Sequence, residues 1–164
     1  MVIRDASDRD LQAIVEIYND TIPTRLATAD LEPVAASDRA GWFARHTPRR
    51  RPLWVAEVDG EVVGWLGFEP FYGRPAYRRT AEISVYVARV SRRRGIGASL
   101  LEQALRSGPE LGLSTLLGFI FAHNQPSIAL FDGFGFERWG HLPRVAQLDE
   151  LERDLLIVGR RVPT

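Results

Sequence analysis

The chain is 164 residues long, 45% hydrophobic and 26% charged, which predicts one globular domain, residues 1–164, with a sizeable core. Its 21 basic residues, all arginine, balance 21 acidic ones, so no global basic field draws it to nucleic acid and no lysine serves a phosphate-binding Gly-Lys-Ser/Thr loop. The lack of cysteine excludes a disulfide framework, a catalytic thiol and thiolate-bound zinc, and fits a cytoplasmic location; no signal peptide or apolar run of transmembrane length is read, so no membrane partner is expected.

Ser7 and Asp10 precede Leu11, Ile14, Val15 and Tyr18, a capping signal followed by helical spacing. A first helix is predicted there, ended by Pro23, and residues 24–33 read as irregular. A second helix runs from Ser37 to before Pro48, with Ala40, Phe43 and Ala44 turned inward. Arg49, Arg50 and Arg51 then read as a solvated loop. Leu53 to Val58 and Glu61 to Phe68 are apolar runs around Asp59-Gly60, a hairpin signal. Beyond a loop from Phe71 to Arg79, Ile83, Val85 and Val87 alternate with Glu82, Ser84 and Tyr86, the period of a strand with two distinct faces.

Ile96, Leu100, Leu101, Ala104 and Leu105 form a helical apolar stripe that breaks at Gly108-Pro109. Thr115 to Phe121 reads as a strand. Asn124, with Pro126 behind it, opens a short helix that Gly133 and Gly135 end. Phe136 to Leu148 and Arg153 to Arg161 read as a final antiparallel pair. The order implies an α/β fold: a mixed, mostly antiparallel sheet flanked by helices, with one parallel strand–helix–strand unit.

The turn inside that unit carries the chemistry. Gly95 and Gly97 lack a Cβ, so a ligand can approach the backbone, and the N-terminus of the next helix offers free N–H groups. Arg92, Arg93 and Arg94 add positive charge. Together these suit a phosphate or pyrophosphate; the alternative is a tight turn beside a solvated charge run. A dinucleotide fingerprint is excluded, because Leu100 stands where its third glycine belongs.

Arg92-x-x-Gly95-x-Gly97 resembles the Arg/Gln-x-x-Gly-x-Gly/Ala turn of the GNAT superfamily of N-acetyltransferases. Further segments resemble its phosphinothricin acetyltransferase-like group: Ile17 to Asp20, Val62 to Trp65, Arg74 to Tyr77, Thr80 to Val87, Asn124 to Ser127 and Gly135-Phe136. The resemblance implies the GNAT fold from end to end, acetyl-CoA as acetyl donor, and a homodimer. It implies that the backbone of Val85 and Val87 pairs with the pantetheine arm, and that Arg92, Arg93, Arg94, Gly95, Ile96, Gly97 and Ala98 hold the pyrophosphate. It also places Asn124 on the arm and Ser127 and Phe131 at the thiol end. Read by itself, Asn124 is a plain helix cap next to Pro126.

An amine that attacks a thioester must first lose a proton, which a carboxylate can take. Glu82 matches the group's Thr-x-Glu-x-Ser-Val-Tyr-Val and is the candidate base; the alternative is an ion pair with Arg78 or Arg144. The N–H of Val85 is the candidate donor to the oxyanion. Many GNAT enzymes carry a tyrosine general acid where Phe131 stands here. The thiolate therefore leaves unprotonated, or takes a proton from Tyr86 or His141. His46 and His123 read as structural. Three scattered histidines without cysteine argue against a metal.

Arg74 and Arg78, set among Phe71, Tyr72 and Tyr77, are candidates to bind an acceptor's anionic group, since a guanidinium fork matches carboxylates and phosphinates. The expected acceptor is a small-molecule amine, an amino acid or analogue such as phosphinothricin or methionine sulfoximine. Acetylation of protein N-termini or lysines, and a noncatalytic acyl-CoA-binding module, are the alternatives.

Overall fold

The computed structural model describes residues 1–163. The strands are β1 (Val2–Asp5), β2 (Leu53–Val58), β3 (Glu61–Pro70), β4 (Thr80–Val87), β5 (Thr115–Phe121), β6 (Glu137–Leu148) and β7 (Leu151–Arg161). The helices are α1 (Leu11–Asn19), α2 (Ala36–Ala44), α3 (Ile96–Ser107) and α4 (Gln125–Gly133). One sheet carries all seven strands in the order β1-β2-β3-β4-β5-β7-β6. Every neighbouring pair is antiparallel except β4–β5, which α3 connects, as expected of the strand–helix–strand unit.

The sheet is covered on both faces. Ala81 and Ile83 of β4 pack with Ile96, Leu100, Leu101 and Ala104 of α3 in the larger core. Trp65 of β3 packs with Ile14 and Ile17 of α1 in a smaller one, and Tyr86 of β4 joins that side. The alternation read in β4 thus splits the strand between two helical layers, with Ser84 and Glu82 on the α1–α2 side.

Three elements differ from expectation. β1 is too short to show a period; its four residues earn their place by pairing with β2. In α2 the inward residues are Trp42 and Phe43, while Ala40 and Ala44 are exposed. The aromatic side chains have far more apolar area to bury than alanine, so they set the face of the helix. β7 begins at Leu151 rather than Arg153, straight after a turn whose Asp149 is left-handed at φ 57°.

Ser7 and Asp10 cap a short 3-10 turn, Asp8–Asp10, that leads into α1. Asp10 is 4% exposed and receives both terminal nitrogens of Arg4, at 2.7 and 2.9 Å, while Arg4 also donates to Glu57 of β2. The Arg4 hydrogen bonds, helped by Ser7, hold the Asp10 carboxyl well below the usual carboxylate range. Its ionised form is therefore favoured by folding. That contribution is present above the unfolded carboxylate pKa of about 4 and is lost as pH falls toward the lower folded value. Asp10→Ala is expected to cost about 3 kcal/mol near neutral pH, read by urea denaturation, with a smaller cost in acid. Equal losses at both pH values would contradict this assignment.

Candidate active site

β4 and β5 pair only at Thr80–Thr115, Ala81–Leu116 and Glu82–Leu117. Beyond that point the strands part. β4 stays bonded to β3 through Val87, and β5 to β7 through Phe121, so each strand turns an unpaired edge to the gap. Main-chain N–H and C=O groups on such edges need partners, which an extended ligand can supply. Gly118 lets Phe131 pack closely on β5 beside the gap: a Cβ there would meet Phe131 Cε1 at 2.8 Å and Val158 Cγ2 at 3.1 Å.

At the open end of the gap lies the turn. Arg93 is left-handed at φ 63° and Gly95 at φ 79°, so successive N–H groups curl into a concave nest at the N-terminus of α3. No side chain caps that terminus. A cleft of about 650 Å³ runs from this turn along β4 to α4, lined by Arg92, Arg93, Gly95, Ile96, Gly97 and Ala98 on one side and Asn124, Pro126, Ser127 and Leu130 on another, with Val85 and Val87 between. The structure thereby gathers residues from two separate stretches of the sequence, the Arg92–Ala98 turn and the start of α4. Arg94 is exposed and outside this lining, and Arg92 turns its Nε back to the Val87 carbonyl at 3.3 Å.

Asn124 is buried and does two jobs. Its Oδ1 accepts from Ser127 N at 3.2 Å, capping α4, and its Nδ2 donates to the Leu26 carbonyl at 3.0 Å. His123 binds the Arg25 carbonyl at 2.7 Å, and Arg25 pairs with Asp149. These contacts pull residues 24–29, read in the sequence only as irregular, over the cleft, where Thr24, Leu26 and Ala27 join its wall. No local signal reveals this, because the contacts reach across 98 positions.

An adjoining cleft of about 410 Å³ occupies the gap itself and is lined by Glu82, Ser84, Tyr86, Gly118, Phe121 and Phe131. Glu82 is half-buried; burial, and then the charge of Glu69 opposite it on β3, push its carboxyl above the usual range. Neither Arg78 nor Arg144 pairs with it among the described residues; Arg144 lies 3.8 Å from Glu152 instead. Tyr86 stacks on Trp65 at 4.5 Å and reaches toward the Ala27 carbonyl at 3.4 Å. Burial pushes the Tyr86 hydroxyl well above its ordinary value, which makes it a weaker acid. His141 binds Asp154 at 2.7 Å and lines none of the three clefts.

Ser84 and Tyr86 also border a third space, a chamber of about 170 Å³ beneath α1 and α2. Tyr18, Trp42, Trp65, Arg39 and Glu69 complete it. Arg39 sits over the rings of Tyr18 and Trp42 and pairs with Asp30. Arg74 and Arg78 are exposed and line none of these spaces, while Phe71, Tyr72 and Tyr77 pack edge-on beside them.

A parallel strand–turn–helix with an uncapped anion nest, opening into a gap that ends at a half-buried carboxylate, is the arrangement of a group-transfer enzyme with a phosphate-bearing donor. The Acetyltransferase (GNAT) family model matches residues 11–136, and the chain belongs to that family. It is 50% identical over 163 residues to the YwnH protein of Bacillus subtilis, covering 99% of each chain. The L-methionine sulfoximine/L-methionine sulfone acetyltransferase of Pseudomonas aeruginosa is 34% identical, over 88% of this chain and 85% of that one. A phosphinothricin acetyltransferase from Sinorhizobium meliloti, solved in complex with acetyl-CoA, superposes with a TM-score of 0.92 at 30% identity, over 98% of this chain and 88% of that one.

Proposed function

We propose that this acetyltransferase moves the acetyl group of acetyl-CoA to the amine of a small amino acid or analogue, phosphinothricin and methionine sulfoximine among them. The observation that carries the reading is Glu82, a carboxylate without a basic partner among the described residues, at the point where β4 and β5 part. The nest at Arg93 to Ala98 suits the pyrophosphate, and the free edge at Val85 and Val87 suits the amide-rich arm, as an added strand. Asn124 borders the arm, and Ser127 and Phe131 the thiol end.

Glu82 takes a proton from the acceptor's ammonium. The amine nitrogen then attacks the thioester carbonyl carbon, a C–N bond forms, and the oxygen gains negative charge that the Val85 N–H meets. Collapse breaks the C–S bond, the electron pair leaves with sulfur, and the second proton still on nitrogen passes to solvent as the amide forms. With phenylalanine at position 131 and the Tyr86 hydroxyl weakened as an acid, the sulfur departs as thiolate. Arg74 and Arg78 are retained as contacts for the acceptor's anionic group on their charge. Because they stand outside the clefts, they serve an acceptor that extends beyond the chamber. The names of the Pseudomonas and Sinorhizobium relatives support this acceptor class.

Release of CoA thiol with a panel of amines tests the reading. Turnover with methionine sulfoximine, methionine sulfone or phosphinothricin is expected, and turnover only with peptide N-termini or lysine side chains would replace the acceptor class. Acetyl-CoA binding without turnover on any amine would leave a binding module. We also propose a homodimer, supported by Trp139, Leu142 and Val145 exposed along edge strand β6. Light scattering is expected to return twice the 18.5 kDa chain mass, and the single mass would refute it.

A further inference from the structure

Glu69 is the second carboxylate on the acceptor side, and nothing in the sequence pattern singles it out. It stands directly opposite Glu82 in the β3–β4 register, so the two side chains leave the same face of the sheet. Like charges facing each other across antiparallel strands repel. Among the described residues no arginine pairs with either carboxylate. The groups around Glu69 come from every neighbouring element: Trp42 of α2 and His46 just beyond it, Glu82 of β4, and Arg39 and Tyr18 across the chamber. Arg39 is committed to Asp30, and Tyr18 donates to Asp30 as well.

The surroundings hold one oxygen of Glu69 and leave the other. Trp42 Nε1 donates to Oε1. His46 Nε2 lies 3.4 Å from the same oxygen, and the imidazole side chain is 5% exposed. His46 Nδ1 faces the Trp42 carbonyl at 3.0 Å, and a carbonyl can only accept, so Nδ1 carries a proton. Nε2 has no hydrogen-bond partner and is aimed at the carboxylate. Among the described residues the polar contacts of Glu69 go to Oε1, and Glu69 lines the chamber that meets the Glu82 cleft at Ser84 and Tyr86.

We propose that Glu69 is an acceptor-binding residue: Oε2 of Glu69 and the carboxylate of Glu82 receive the acceptor's ammonium between them, Glu69 binding the cation and Glu82 removing its proton. Each carboxylate gains an opposite charge in place of a like one, and the acceptor's side chain enters the aromatic chamber of Tyr18, Trp42 and Trp65. The proposal rests on the reading of Glu82 as base and adds to it a separate group for ammonium binding. It also commits the enzyme to acceptors that arrive charged at nitrogen.

The test uses the best acceptor of the amine panel, wild-type enzyme, Glu69→Gln and Glu82→Gln. Glutamine keeps an oxygen for Trp42 Nε1 and removes the charge. Glu69→Gln is expected to raise the KM for the amine by about 10–100-fold, the loss of a charge-assisted contact, with kcat changed by less than about threefold. Glu82→Gln is expected to do the reverse. A second measurement separates binding from packing: inhibition by the hydroxy-acid analogue of that acceptor, which lacks the ammonium. Its inhibition constant is expected to be unchanged or lower in Glu69→Gln, whereas a merely structural Glu69 would weaken amine and hydroxy acid alike. Unchanged KM in Glu69→Gln, or equal weakening of both ligands, overturns the inference while a slow Glu82→Gln leaves the base in place. Full turnover by Glu82→Gln overturns the reading beneath it.

Discussion

Glu82→Gln is expected to lower kcat by roughly 10²–10⁴-fold, the range for removal of a general base, with the affinity for acetyl-CoA intact. Glu82 lines the gap and not the cleft at the Gly95 turn, so the two effects separate in space. The wild-type pH profile adds a sign. Burial and the facing Glu69 hold the Glu82 carboxyl above its ordinary range, and only its ionised form is a base. Activity should therefore climb with pH through that raised value. Glu82→Gln should lose this limb, leaving the slower dependence of the free amine. Stopped-flow or steady-state assays from pH 5 to 9 decide it, and coincident profiles for the two proteins would remove Glu82 as base.

Gly95→Val and Gly97→Val are each expected to weaken acetyl-CoA at least about 100-fold in calorimetry, some 2.7 kcal/mol. The two act differently. At Gly95 there is open space for a Cβ, but φ is +79°, a region costly for a branched side chain; the nest would flatten and its N–H groups turn away. At Gly97 the backbone is ordinary, and a Cβ would meet Leu130 Cδ2 at 3.3 Å. The further methyls of valine would stand in the cleft where the donor's phosphates approach α3. Native circular dichroism with unchanged affinity in both variants would sink the cradle.

How much of this could be read beforehand follows from where each signal is stored. The proposed cradle is local: Arg92 to Ala98 is a contiguous turn whose glycines and helix stripe mark it in the sequence. The same holds for Asn124, whose cap on Ser127 is written three residues away. Glu69 is the opposite case. Its meaning depends on facing Glu82, and the nine-residue loop between β3 and β4, residues 71–79, leaves that register open in the sequence. Arg39 and Trp42 were hidden for a related reason: α2 buries no residue fully, so its periodicity is faint. Arg74 and Arg78 stand close in sequence to Glu82, but both are exposed and border none of the three spaces, whereas Arg39 lines the chamber. Residues 24–29 show that a stretch without periodic pattern can still be fixed, when distant groups such as His123 and Asn124 satisfy its carbonyls.

The parting of β4 and β5 has a consequence for how the protein lives between turnovers. A seven-stranded sheet with a seam open at its middle is less than fully knit, and the missing stitches are main-chain groups that only an extended visitor can supply. Donor affinity and resistance to unfolding are then two readings of one quantity, with about 2.7 kcal/mol gained at a hundredfold excess over Kd. Ser84 and Tyr86, which border the chamber proposed for the acceptor, belong to the strand that is stitched. Tightening the seam firms the wall against which the second substrate must settle, so the sheet itself favours an order of arrival: donor first, amine second.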